Sequence, residues 1–351
     1  MTVSDISHEG GPRPTRSSSA SRATIDVALR IGGLFAAIVV VAVIFIIINP
    51  NIANLNMGGS VLRSMSSVAI MALGLTLVIV VGEIDLSFGA TYGLAINAMA
   101  VMWIVHGVPV YVAIPIAIGI GGLVGLFNGY LVTSLKIPSF IVTLGSYNLL
   151  YGITLWVSNT GTFNPAYPPP GVKVSDDQLG FFVGLTQPIG SFQLSLEVVW
   201  MLLIAVVVGL LLHRSLFGFR LMAIGGNPAA AKLARLPVRR YKIVAFILGG
   251  ALAAIAGVLD FSFIQTSQPN TGLSQTFPVF AAVIIGGASL SGGKGTVIGT
   301  LGGALLLAEL QLGLSILSPG AYVQQIFLGA VTIGAVALDL GLANLRKSRA
   351  G

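Results

Sequence analysis

From residue 27 onward the chain alternates long apolar stretches with short polar breaks. A bilayer core of about 30 Å takes about 20 apolar residues in a helix. Ten stretches fit, at about 27–49, 59–81, 87–105, 110–133, 138–157, 194–212, 241–262, 275–289, 295–316 and 321–342. The pattern predicts an all-α integral membrane protein of about ten transmembrane helices. Two breaks are unusually short. Gly82-Glu83-Ile84-Asp85-Leu86-Ser87 alone parts the second stretch from the third, and a glycine-rich run at 286–295 parts the eighth from the ninth. Both pairs are expected to be broken or re-entrant helices. The longest remaining polar segments, 158–193 and 213–240, are too short for a soluble domain. The expected organisation is a disordered tail at 1–24, one membrane domain at 25–345 and a second tail at 346–351. The first stretch exceeds the 7–15 residues of a signal-peptide core and ends at Asn49-Pro50-Asn51, so it reads as an uncleaved helix.

Composition sharpens this picture. Apolar residues make up 55% of the 351 and charged residues 8%, against about 25% charged in soluble domains. So few charges cannot cover a soluble surface, which excludes a soluble enzyme. The 45 glycines suit membrane helices whose backbones approach closely. The chain has no cysteine and only His8, His106 and His213, so thiolate or histidine metal sites and cysteine nucleophiles are not expected.

The net charge of +7 has a one-sided origin. With both termini on one side, the tails, the loops after the fourth and eighth stretches (Lys136, Lys294) and the 213–240 segment with Lys242 hold sixteen of the eighteen Lys and Arg. Lys173 falls outside, and Arg63 lies near the outer end of the second stretch. By the positive-inside rule the termini and 213–240 are cytoplasmic and 158–193 is external. The asymmetry explains the basic character without nucleic acid.

Three local features carry chemistry. In Gly225-Gly226-Asn227-Pro228-Ala229-Ala230-Ala231-Lys232-Leu233-Ala234-Arg235-Leu236-Pro237, Asn227 is a favoured N-cap, Pro228 suits the first helical position and Pro237 disfavours continuation. A helix of about two turns is predicted at 227–236. Alone it is marginal, so it docks on a partner or lies on anionic lipid. The run at 286–296 superficially suggests a phosphate loop, but Gly293-Lys294 is followed by Gly295 rather than Ser or Thr and Ala288 stands where the first glycine belongs. No ATP site is expected in the chain. Glu83 and Asp85 are too costly in hydrocarbon; they face water, a cavity or a partner, or sit in an ordinary turn. The segment from Gly82 to Gly89 also aligns with Gly286 to Gly293 at an offset of 204, a possible internal repeat of the kind transporters use.

The motifs Gly82-x-Ile84-Asp85-Leu86-Ser87-x-Gly89, Asn128-Gly129, Ile137-Pro138-x-Phe140-Ile141-x-Thr143-Leu144-Gly145, Ala223-Ile224-Gly225-Gly226-Asn227 and Gly286-Gly287-x-Ser289-Leu290-x-Gly292-Gly293-x-Gly295 together resemble the ribose-type permeases of ATP-binding cassette importers, within the group that includes branched-chain amino acid permeases. The resemblance runs from about 60 to 342. It implies a permease pair, identical or not, in the bacterial plasma membrane. It also implies a cytoplasmic ATPase that holds ATP and Mg, and an external sugar-binding protein. It assigns ATPase coupling to the matching segment: Gly225, Gly226, Asn227, Pro228, Ala231, Lys232 and Arg235. The chain departs from the family at Leu310-Gln311, where an asparagine pair is common, at Glu309, usually non-acidic, at Tyr151, often arginine, and at Glu83, often glycine. These departures bear on which sugar is carried.

A sugar path needs hydrogen-bonding groups. Asn97, Asn128, Thr143, Ser146, Asn148 and Gln311, with Phe140 and Tyr147, lie in the apolar stretches. Unpaired amides in lipid cost kilocalories, so these side chains face the path or bond between helices. Glu309 is the sharpest path candidate. Alternative readings are a secondary transporter, which needs a central carboxylate and has only Glu309 for it, a channel, or an importer of a nucleoside or branched-chain amino acid.

Overall fold

The computed structural model describes residues 17–50, 53–190, 194–317 and 320–348. Thirteen α-helices run through these residues: α1 Ser17–Ile48, α2 Leu55–Val80, α3 Phe88–Ala100, α4 Val110–Ser134, α5 Ser139–Val157, α6 Asp176–Gly184, α7 Leu196–His213, α8 Leu216–Gly226, α9 Pro228–Leu233, α10 Val238–Ile264, α11 Thr276–Ile285, α12 Val297–Ile316 and α13 Ala321–Ser348. A π-helical turn, Val101–Val105, extends α3. Two two-residue strands, β1 Pro188–Ile189 and β2 Leu194–Ser195, pair antiparallel.

Among the described residues seven helices are long and apolar enough to cross a membrane: α2, α3 with its π-turn, α4, α5, α7, α10 and α12. The expected count of ten is not confirmed. The apolar part of α1 described in full, Gly32–Ile48, that of α13, Tyr322–Gly334, and the segment Leu273–Ile285 are shorter. The eighth stretch stops early because α11 closes at a glycine turn instead of running to 289. The tail expected at 1–24 lies outside the described residues up to 16, and from Ser17 the backbone is helical. Two segments read as loops contain helices. In 158–193, α6 opens with Asp176 and Asp177, which suit the positive N-terminal end of the helix dipole. In 213–240, α8 precedes the expected short helix and is capped by Ser215, whose hydroxyl accepts from Gly218 N at 3.2 Å.

Helices α2 and α3 are buried along most of their length and form the centre. Asn54 starts α2, accepting from Met57 N at 2.8 Å. Helix α10 crosses beside α2, α3 and α4. Its contact with α4 is backbone on backbone: a Cβ at Gly125 would overlap the Phe246 carbonyl, and one at Gly121 that of Gly250. Such seams give membrane helices their van der Waals association, since lipid is as apolar as leucine.

Both expected breaks are present. α2 ends in a turn where Glu83 N donates to Val78 O at 3.0 Å and Gly82 N to Ile79 O at 2.9 Å; α11 ends with Ala288 N to Val283 O at 3.1 Å and Gly287 N to Ile284 O at 2.9 Å. Gly82 and Gly287 each take φ +86°, a conformation glycine adopts freely. The shared turn aligns Gly82 with Gly287, one residue off the expected 204. The next helices begin at Phe88 and Val297, so the segments that follow the turn differ in length.

The α4–α10 seam yields a contrast within one helix. Gly125→Val is expected to destabilise the protein by about 1–3 kcal/mol or more through overpacking. Gly119→Ala, with nothing within 4 Å of the added carbon, is expected to be neutral or to stabilise by up to about 1 kcal/mol. Melting of the detergent-solubilised protein followed by size-exclusion chromatography checks both.

Candidate translocation and coupling site

The basic face is organised around α8 and α9. Asn227 ends α8 and caps α9: its side chain accepts from Ala230 N at 2.9 Å, and Pro228 occupies the first helical position. The helix stops at Leu233, three residues short of the expectation, because Arg235 turns into the left-handed region at φ 57° ahead of Pro237. Of α9 only Ala231 is buried. Arg220 on α8 donates to the Tyr241 hydroxyl at 2.9 Å, and Phe217 stacks on the Tyr241 ring at 5.5 Å. Thus α8 is fastened to the start of α10.

Both helix breaks meet this unit. Gly293 N donates to Val80 O at 2.8 Å. A Cβ at Gly225 would overlap Val80 O; one at Gly292 would sit 2.9 Å from the Gly82 Cα, and one at Gly293 2.6 Å from the Gly226 Cα. The ends of α2 and α8 and the 286–295 loop therefore touch through bare backbone. Beside this junction Lys242 at the start of α10 forms an ion pair with Glu83, so Glu83 is paired rather than free in a turn.

Deeper in, polar groups form a buried chain. Asp85 Oδ1 accepts from Ser87 N at 2.7 Å and Ser87 Oγ at 2.6 Å. Asn128 Nδ2 donates to Ser87 Oγ at 2.9 Å, and Ser146 Oγ donates to Asn128 Oδ1 at 2.6 Å. Ser139 Oγ accepts from Ile84 N at 3.0 Å, and Thr143 bonds its own helix at Ser139 O, 2.8 Å away. Asn128, Thr143 and Ser146 thus gather around the 82–87 segment, joining it to α4 and α5. Burial pushes the Asp85 carboxyl up to about 6, against the opposing bonds from Ser87 and Asn128.

The other expected path residues are dispersed. Asn97 is buried on α3, donating to Gly93 O and Gln268 O, each at 2.9 Å. On α5, Phe140 and Asn148 are exposed and Tyr147 is half-buried, on a face that also exposes Ile141, Leu144 and Leu149. Glu309 lines a cavity of about 550 Å³ with α1, α2 and α12 residues such as Phe45, Met57, Leu62 and Leu312. Its Oε2 is buried without a hydrogen-bond partner among the described residues. Helix α12 packs on α1, α2 and α11, so Glu309 and Gln311 are not gathered with the α5 group.

One cluster escaped the sequence reading. Arg63 on α2 binds Glu197 on α7 at 3.3 Å and Asp260 on α10 at 2.7 Å. The Tyr92 hydroxyl on α3 donates to Asp260, and the guanidinium lies 3.6 Å from the centre of the Phe263 ring. Four helices converge here, away from the basic face. The available signal was a lone arginine at the outer end of one stretch with lone acids at the ends of two others.

Two measurements test this geometry. Removing one partner of a buried ion pair strands a charge, at about 3–5 kcal/mol; Arg63→Ala is expected to lose that much stability, read as a large drop in melting temperature at equal expression. For Asp85 the folded value of about 6 lies above the ordinary 3.8. Its protonated form stabilises the fold below about pH 4, and that contribution fades as pH rises to about 6. Asp85→Asn cannot ionise. Its melting temperature relative to the parent is expected to climb between about pH 4 and 6 and level off above.

The sequence comparisons agree with this architecture. The family model described as branched-chain amino acid transport system / permease component matches residues 57–336. The ribose import permease protein RbsC of Escherichia coli K12 is 34% identical over 307 residues, covering 87% of this chain and 92% of the relative. The Bacillus subtilis ribose import permease is 34% identical over 88% and 92%. The galactose/methyl galactoside import permease MglC of Escherichia coli K12 is 33% identical over 89% and 94%. No solved structure matches significantly. The chain, a multi-pass membrane transport component rather than an enzyme, belongs to the branched-chain amino acid transport system permease family.

Proposed function

We propose that this protein is the permease subunit of an ATP-driven importer that carries a monosaccharide, a pentose or hexose of the ribose type, inward across the bacterial plasma membrane. Relatives at 32–34% identity over most of the chain are named import permeases for ribose and galactose and a transport system permease for xylose, which supports the substrate class. The observation that carries the mechanism is the junction of α8 with both helix breaks. In this reading the basic face and both termini are cytoplasmic. The exposed α9 docks on a separate ATPase that holds ATP and Mg. A push on α9 passes through α8 to the ends of α2 and α11, because bare backbones in contact leave no soft side chain to absorb it.

Two permease chains, identical or not, enclose the path, and the exposed α5 face with Asn148, Tyr147 and Phe140 lines it. A binding protein outside supplies sugar and selectivity, so scattered weak hydrogen-bonding groups suffice. Asn128 and Ser146, bonded to each other, act as struts behind that face.

Ala231 N donates to Asn227 O at 3.0 Å; proline there deletes this bond and clashes with the preceding turn. Ala231→Pro is expected to reach the membrane yet lose ATP-dependent sugar uptake, whereas Asn227→Ala costs about 1 kcal/mol of capping and leaves partial uptake. Uptake in proteoliposomes with the ATPase and binding protein checks both. Normal uptake by Ala231→Pro excludes coupling through α9, and uptake that needs no ATPase but collapses with an uncoupler makes the protein a secondary transporter.

A further inference from the structure

A second cleft opens on the basic face beside α9. It encloses about 390 Å³ and is lined by residues of α4, α5, α9 and α10 and of the 82–87 and 135–138 segments. Its lining is apolar at Val132, Ile137, Pro138 and Val238, and it carries Lys136, Lys232, Arg239 and Lys242 against the single carboxylate of Glu83. Two of these cations are already engaged. Lys242 pairs with Glu83, and Arg239 donates to Ser134 Oγ at 2.8 Å with its guanidinium near the Tyr130 ring. Lys136 and Lys232 have no ion-pair partner among the described residues. Lys136 is held at φ 55°, a conformation a lysine rarely takes, and it lines the cleft wall.

Resting on the importer reading above, we propose that this cleft receives an Asp or Glu side chain from an acidic segment of the ATPase, paired with Lys136 and Lys232. The same segment covers the exposed apolar side of α9. The excess of positive charge selects an anion, and the apolar lining residues suit the stem that carries it. Leu233 on α9, 87% exposed, and Phe219 on α8, 70% exposed, offer the apolar contact that a protein surface needs and a free anion does not. A lipid headgroup is the weaker occupant. A helix that lies in the bilayer surface buries a broad apolar face, and the six residues of α9 present one large exposed apolar side chain.

The assembled complex tests this directly. A carbodiimide joins an amine only to a carboxylate in contact with it. Treatment of the permease–ATPase complex, with mapping by mass spectrometry, is expected to link Lys136 or Lys232 to an Asp or Glu of the ATPase. The Lys136→Gln/Lys232→Gln pair is expected to weaken assembly about tenfold in low salt and less in high salt, since screening already removes the attraction. Lys173→Gln, in the 158–193 segment away from the cleft and the coupling junction, is expected to leave assembly unchanged. The proposal is overturned if a complex forms without either link and the double variant assembles with unchanged affinity. It is equally overturned if native mass spectrometry finds an anionic phospholipid that the double variant loses while ATPase affinity stays the same. Failure of any ATPase to assemble with the unaltered permease overturns the importer reading itself, and this inference with it.

Discussion

Bare backbone contact is the constraint on which the basic face depends. Where Val80, Gly225 and Gly293 meet, one hydrogen bond and several glycine contacts occupy space that any side chain would fill. Packed interiors are stiff because each atom already has neighbours at contact distance. A junction without side chains is stiffer still, since no rotamer can change to accommodate a shift. Two helix breaks and the helix pair beneath them therefore move as one piece or separate altogether. The Glu83–Lys242 ion pair and the Tyr241 contacts add α10 to that piece.

The opposite end of the molecule is held by different physics. Arg63, Glu197, Asp260 and Tyr92 bring charge and hydrogen bonds to a point where four helices converge. Such a cluster resists sliding because any displacement strands a buried charge. Between the two ends, α4 and α10 meet along a glycine seam. The molecule is thus clamped by ions at one face and by backbone contact at the other. The α5 face is exposed, as are faces of α1, α4 and α7; in the proposed reading it is the one that lines the path.

Much of this was written locally, and that part was legible. Apolar length marked α2, α4, α5, α7, α10 and α12. The turns at Gly82 and Gly287 were foreshadowed by glycines between short polar residues. Asn227-Pro228 announced a capped helix because capping involves neighbours three residues apart. Partners distant in sequence were not legible. Arg63 meets Glu197 across 134 residues and Asp260 across 197, and nothing local names either partner. The glycines at 225 and 293 are required by backbones that arrive from elsewhere. The short helices α6 and α8 were hidden for another reason: Ser and Asp signal turns and helix starts alike. Among the path candidates, Asn128, Thr143 and Ser146 came together, while Glu309 went to a cavity walled by α1, α2 and α12, a placement that polarity and hydropathy do not encode.

The central claim is that α9 and the 286–295 loop form one rigid body driven by ATP. The chain contains no cysteine, so paired spin labels can be introduced cleanly at Ala229 and Ser291, and in a second protein at Ala229 and Lys173. Distances are then measured by pulsed electron resonance in the complex with its ATPase, with and without ATP. The account predicts that the Ala229–Ser291 distance stays constant while Ala229–Lys173 changes. A change in Ala229–Ser291 as large as that in Ala229–Lys173 would contradict it.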